Sequence, residues 1–199
     1  MGLAEDGITA HDYYARTDGM SPAYYGAFPS ASVHVRCRKS VAAKLVQVNE
    51  ALAPRGLKLL VLNSYRLLQV QSDSREFFIK RAKEALPAPT EVDRTALFAG
   101  EYHSNPRAFD TSDSHTSPTH IAGGAVDVAL RAKETGAQLM GGNFDEPSTL
   151  GHTQYFEMEL KRKTASNHPM PLSHTEALRN RRRLFWRMSE AGFANYPCE

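Results

Sequence analysis

Apolar positions along the chain change period several times. Val41, Leu45, Val48 and Leu52 recur at intervals of three and four, which predicts a helix with one buried face. Ser40 stands where an N-cap belongs, and Pro54 and Gly56 punctuate the far end. Leu57 to Leu62 is apolar with little alternation and of strand length, as for a strand buried on both faces. Leu67 to about Leu86 predicts a second helix from a weaker pattern. Gly124 to Leu130 alternates as a strand does, Lys133 to Gly136 makes a turn, and Gln138 to Met140 returns beside the strand. A helix is expected near Thr153 to Lys163, and a longer one from Thr175 to Ala191. Ser173 and Glu176 have capping-box spacing for that last helix. Leu178, Leu184, Phe185 and Met188 form its apolar stripe, and Gly192 is placed to end it in a left-handed conformation. Phe193 to Tyr196 is expected to open a last strand.

Two stretches lack a period. Residues 1–32 are rich in Tyr, Gly, Ala, Ser and Pro and read as an irregular arm, packed by Tyr13, Tyr14, Tyr24, Tyr25 and Phe28. Residues 87–118 hold prolines and many Ser, Thr, Asp and Asn residues, a loop long enough to be functional or disordered. Helices grouped around a few strands, without regular β-α-β alternation, predict an α+β domain over residues 33–199 behind the arm.

Composition narrows the function classes. Hydrophobic residues make up 41% and charged residues 23%, ordinary for a globular domain, and the net charge is only +2. A dedicated nucleic-acid or membrane-surface protein carries a stronger basic field, so no nucleic-acid partner is expected. No apolar run approaches the roughly 20 residues of a membrane span. Met1 to Asp12 lacks the basic and apolar regions of a signal peptide. Cys37 and Cys198 are far apart and read as reduced thiols. The expected location is therefore the cytoplasm.

The stretch with most chemistry runs from Thr119 to Asp127, His-x-x-Gly-x-Ala-x-Asp within it. A neutral imidazole and a carboxylate are both good zinc donors, and a catalytic zinc keeps three protein ligands and one open position. Gly123 and Gly124 let the chain turn tightly, which folds His120 back towards Asp127, and Ala125 leaves room beside them. Two donors do not hold a catalytic zinc well. A hydrogen-bonded structural histidine fits the same spacing, so both readings stand on these residues alone. Arg179, Arg181, Arg182 and Arg183 spread around one helix and read as a solvated, partly salt-bridged face. Lys161 to Lys163 suit a helix C-terminus. Phe185 and Trp186 read as core or site-wall residues, and Asp110, Asp113 and His115 as solvated loop.

Five segments in order resemble one family. They are Leu62-Asn63-Ser64-Tyr65-Arg66 beside D-G-[YW]-R-P, the His120 to Asp127 stretch, and Met140 to Asp145 beside M-G-x-x-F-D. Asn180 to Leu184 stands beside N-R-R-x-L, and Gly192 to Glu199 beside G-F-x-N-Y-x-x-E-W-W-H. From about residue 33 onward the chain resembles the D-alanyl-D-alanine dipeptidases, zinc D,D-peptidases acting on peptidoglycan-type peptides. The resemblance implies a small central, mostly antiparallel sheet flanked by helices and one zinc ion (Zn2+) per chain. It implies a small D,D-dipeptide as substrate. His120 and Asp127 become zinc ligands and Glu199 the general base that moves a proton from water to the leaving amine. Arg66 becomes the oxyanion donor, a placement worth roughly 2.7–4 kcal/mol of barrier per good donor. Asp145 lies near the free amino terminus of the substrate.

The chain departs from the pattern in three places. It stops at Glu199, before the Trp-Trp-His whose histidine is the third zinc ligand of the family. The chain as given is therefore expected to bind zinc weakly and turn over slowly. His103, His115, His152, His168 and His174 read as polar loop residues rather than substitutes, with His115 nearest in sequence to His120. Asn63-Ser64 and Leu67 replace the Asp-Gly and Pro around Arg66, and Pro118 replaces a serine before His120. These departures leave two other functions open, a peptidoglycan-peptide-binding relative without catalysis and a D,D-carboxypeptidase.

Overall fold

The computed structural model describes residues 3, 7–22, 26–85, 110, 112–113, 116–145 and 149–196. Among them lie β1 (Thr9–Ala10), α1 (Lys39–Leu52), β2 (Leu57–Asn63), α2 (Leu68–Ala85), β3 (Asp127–Ala132), α3 (Tyr155–Ala165) and α4 (Leu172–Glu190). Short 3-10 turns occupy Tyr13–Ala15, Ala53–Arg55 and Thr149–Gly151. The fold is α+β as the pattern predicts. The sheet order is β1-β2-β3, with β1 parallel to β2 and the longer β2–β3 ladder antiparallel.

β2 is the middle strand, and its apolar run explains why. Leu57, Leu59 and Val61 join the main core with Leu130 and the buried face of α1, namely Val41, Leu45, Val48 and Leu52. Leu60 and Leu62 point the other way, against Tyr13 and Ala129. A strand buried on both faces needs apolar residues at both parities. β1 arises from the arm. Thr9 and Ala10 pair with Leu60 and Val61, and Leu3, Ile8, Tyr13, Tyr14 and Phe28 are buried. Tyr24 and Tyr25 lie outside the described residues.

The helix starts differ from expectation. α1 begins at Lys39 behind Arg38, whose side chain makes no capping bond, so Ser40 lies within the first turn. The start is set by a tertiary contact instead, because Arg38 N donates to Gly123 O at 3.4 Å. α4 begins at Leu172 behind Pro171, and the Ser173–Glu176 capping box does not form. The fixed φ of Pro171 already turns the chain into the helix. Its other end matches the prediction. Gly192 has φ 78, and Phe193 N and Gly192 N donate to Met188 O and Ser189 O at 3.0 and 2.9 Å. Residues 193–196 then run without strand pairing, so the expected last strand is absent there.

α2 buries Val70, Gln71, Ser74 and Phe78. Two of these are polar, which is why its pattern is weak in sequence. β3 starts at Asp127 rather than Gly124, since Gly124 N and Ala125 N both donate to Thr119 O. The return after the turn is a single bridge, Gln138 to Arg131, rather than a strand. Most of the 87–118 loop, with His103 and His115, lies outside the described residues. No helix among the described residues is long and apolar enough to cross a membrane.

Candidate active site

The site forms where the β2–β3 ladder loses its regular register. A bulge between Val61 and Asn63 sets Asn63 opposite Asp127. Bulges bend a strand and re-aim its side chains, and beyond this one the chain leaves the sheet through Ser64, Tyr65 and Arg66. The 119–125 turn folds over that exit. His120 O accepts from Gly123 N at 2.9 Å and from Arg66 N at 3.4 Å, and Ser64 Oγ donates to Ala125 O at 3.0 Å. Gly123 holds φ 66, a left-handed position in the turn that favours glycine.

These bonds bring His120 to Asp127. His120 Nε2 lies 3.3 Å from Asp127 Oδ1. His120 Nδ1 sits 2.7 Å from the Ser64 carbonyl oxygen, which has no proton to give, so Nδ1 donates. That bond leaves the Nε2 lone pair facing the carboxylate in the neutral ring. Arg66 is 6% exposed and held on three sides. Its Nε donates to Asn63 Oδ1 at 3.0 Å, Nη1 to Gln71 Oε1 at 2.8 Å and Nη2 to Asp127 Oδ2 at 2.9 Å. The guanidinium also lies 4.4 Å over the Tyr14 ring.

The charges tune one another. Burial disfavours a charged His120, but the charge and hydrogen bond of Asp127 outweigh it and hold the imidazole above its usual pKa. Burial likewise works against an ionised Asp127, and His120 and Arg66 overcome it and pull the acid down. Asp12 is different. Burial pushes it up to about 6 despite bonds from Tyr14 N and Asn63 Nδ2 and the charge of Arg66.

Asp145 reaches the same place from the Met140–Asp145 loop. Tyr14 donates its hydroxyl proton to Asp145 Oδ2. Phe144 lies edge-on to Tyr13 and Tyr14, with ring centres 5.5 and 5.4 Å away. α4 clamps this loop. Arg181 donates to the carbonyls of Met140, Leu150 and His152, each at 2.9 Å, and Asn180 Nδ2 to Leu139 O at 3.2 Å. Gly141 is the contact point. A Cβ there would stand 2.6 Å from Ala177 Cβ and 2.9 Å from Phe156 Cζ.

A family model described as D-ala-D-ala dipeptidase matches residues 14–199. The chain belongs to the D-Ala-D-Ala dipeptidase family. No individual curated protein matches it closely enough to count as a relative. Dipeptidases of this family are zinc-dependent metallopeptidases, and the described residues can be tested against that metal. The 3.3 Å between His120 Nε2 and Asp127 Oδ1 is close to the edge of a tetrahedron with bonds of roughly 2.0–2.1 Å. The second nitrogen of His120 is fixed by a backbone carbonyl, the usual outer partner of a metal-bound histidine. These two donors fit zinc. Among the described residues no third His, Cys, Asp or Glu joins them.

The dipeptidase motifs thus meet in space. Arg66, His120 and Asp127 are in mutual contact, and Asp145 joins them through Tyr14 and its stacked Arg66. Glu199 lies outside the described residues. Two expectations about α4 need correction. Arg181 is no solvated arginine, because its three carbonyl bonds draw it into the fold. Phe185 and Trp186 are not core, being 41% and 64% exposed and meeting edge to face. Sequence reasoning missed Asp12, Asn63, Gln71 and the Ser64 carbonyl. Asp12 and Gln71 carry no motif. Asn63 stands inside one, at its departure from Asp, and was the available signal.

Proposed function

We propose that the protein is a zinc-dependent dipeptidase that hydrolyses D-alanyl-D-alanine to free D-alanine in peptidoglycan-peptide metabolism. The observation that carries this reading is the His120–Asp127 pair, with Nε2 and Oδ1 3.3 Å apart beside a buried arginine. His120 and Asp127 supply two of the ligands of the metal, one ion per chain. A bound zinc supplies Lewis-acid polarisation of a carbonyl and makes water more acidic. Glu199 takes a proton from the attacking water and delivers it to the leaving amine as the C–N bond breaks. Arg66 faces the oxygen on which negative charge develops. Asp145, held by Tyr14, binds the substrate ammonium and so favours a dipeptide over a longer chain. The cytoplasm, where cysteines such as Cys37 stay reduced, is the proposed location.

One feature favours a second reading, a relative that binds such peptides without cleaving them. Arg66 is engaged by Asn63, Gln71 and Asp127 at once, so stabilising an oxyanion requires it to turn away from part of that set. Zinc-loaded protein incubated with D-Ala-D-Ala separates the two. Release of D-alanine, lost in His120→Ala and Asp127→Ala together with retained zinc, supports the dipeptidase. Binding of the dipeptide by calorimetry with no D-alanine released supports the binding module. Competition between the dipeptide and a pentapeptide stem separates both from a D,D-carboxypeptidase.

A further inference from the structure

The proposed chemistry leaves one buried carboxylate of the site without a task. Asp12 is 7% exposed. Its Oδ1 accepts from Tyr14 N at 3.0 Å, capping the Tyr13–Ala15 turn, and from Asn63 Nδ2 at 3.3 Å. Asn or Ser would serve a cap without burying a charge. A charge kept here is kept against the cost of its burial.

The far end of Asn63 explains what the charge reaches. Asn63 Oδ1 accepts from Arg66 Nε at 3.0 Å. The amide therefore stands between an acid and a guanidinium, and its orientation follows, with NH2 towards Asp12 and oxygen towards Arg66. Asp127 pairs with Arg66 directly but also has to serve a metal. The motif that this segment resembles carries Asp at position 63, and Asn63 carries no charge. Asp12 and Arg66 also line one cavity of about 60 Å³, together with His34, Arg36 and Tyr65. Asp12 lies before residue 14, where the family match begins.

We propose that Asp12 is a positioning residue for Arg66. It acts through Asn63 and supplies, from the N-terminal segment, the carboxylate charge that position 63 lacks. Its effect on turnover rests on the dipeptidase reading, and its effect on Arg66 does not.

Asp12→Asn tests this, because the amide oxygen keeps an acceptor for both Tyr14 N and Asn63 Nδ2 and removes the charge. In zinc-loaded full-length protein, kcat on D-Ala-D-Ala falls about tenfold, short of the roughly 10²–10³ lost with a whole oxyanion donor. KM moves by less than about twofold. The urea midpoint at mildly alkaline pH is unchanged or higher. Adding Asn63→Asp to Asp12→Asn returns most of kcat, since a carboxylate at 63 then accepts from Arg66 Nε directly. An unchanged kcat in Asp12→Asn overturns the proposal. So does a double variant no better than the single one, or a kcat loss that tracks loss of folded protein. If the unsubstituted protein releases no D-alanine, the dipeptidase reading fails and the Arg66 Nε–H resonance decides. That resonance shifts in Asp12→Asn, and a resonance that does not move overturns the proposal.

Discussion

Asp12 makes the stability of the fold depend on pH in an unusual direction for an acid. Its pKa is raised from 3.8 to about 6 by burial, so the folded state holds the proton more tightly than the unfolded chain. Its stabilising contribution is fully present below about pH 4 and is lost as pH rises through about 6, a swing of up to about 3 kcal/mol. Urea unfolding across that window should show Asp12→Asn gaining stability over the unsubstituted protein as pH rises. Parallel curves would contradict the assignment. Gly141 is a second residue whose identity is forced. It holds φ 77, and a Cβ would overlap Ala177 and Phe156. Gly141→Ala should cost more than about 2 kcal/mol in urea unfolding, from left-handed strain plus overpacking.

At the scale of elements, α4 acts as a clamp on the loop that carries Asp145. Arg181→Ala removes donors from three carbonyls and the guanidinium 4.6 Å over Phe156. Its expected cost is roughly 2–4 kcal/mol by chemical denaturation. Arg182→Ala breaks an exposed pair with Glu157 and should cost less than about 1 kcal/mol. Equal effects would show that the three carbonyl bonds contribute little. The contrast also marks what periodicity reveals. It found α1 and α4, because Val41, Leu45, Val48, Leu52 and Leu178 sit on buried faces. It misjudged both helix starts, because a tertiary bond to Gly123 and the ring of Pro171 do the work that a serine side chain does elsewhere. β1 has two residues, too few for any period. α2 was faint because Gln71 faces inward to hold Arg66.

Over the whole molecule, the candidate site gathers residues from the arm, the end of β2, the 119–125 turn and the Met140–Asp145 loop. His120, Asp127, Arg66 and Asp145 were legible because each stands in a motif of fixed spacing. Asp12 and Gln71 were not, because what places them is the pairing of β1 with β2 and the packing of α2. Removing residues 1–12 should therefore lower stability as well as activity, although that stretch has no recognisable pattern. A truncated protein with an unaltered thermal midpoint would count against this. The proposed zinc site needs His120 and Asp127 assembled, so the metal favours the folded state. Free zinc at about 100 times its dissociation constant should stabilise the fold by roughly 2.7 kcal/mol, a rise in thermal midpoint that His120→Ala abolishes.

The position of β2 has a consequence for synthesis. One neighbour, β1, precedes it in the chain, but the other, β3, follows only after α2 and the long segment beyond. During translation Leu57–Asn63 waits with an open edge while those residues are made. Such an edge recruits strands from other chains, and non-local pairing is slow to close. Nascent chains stalled before Asp127 should be held by chaperones, whereas chains extended past Ala132 should escape them.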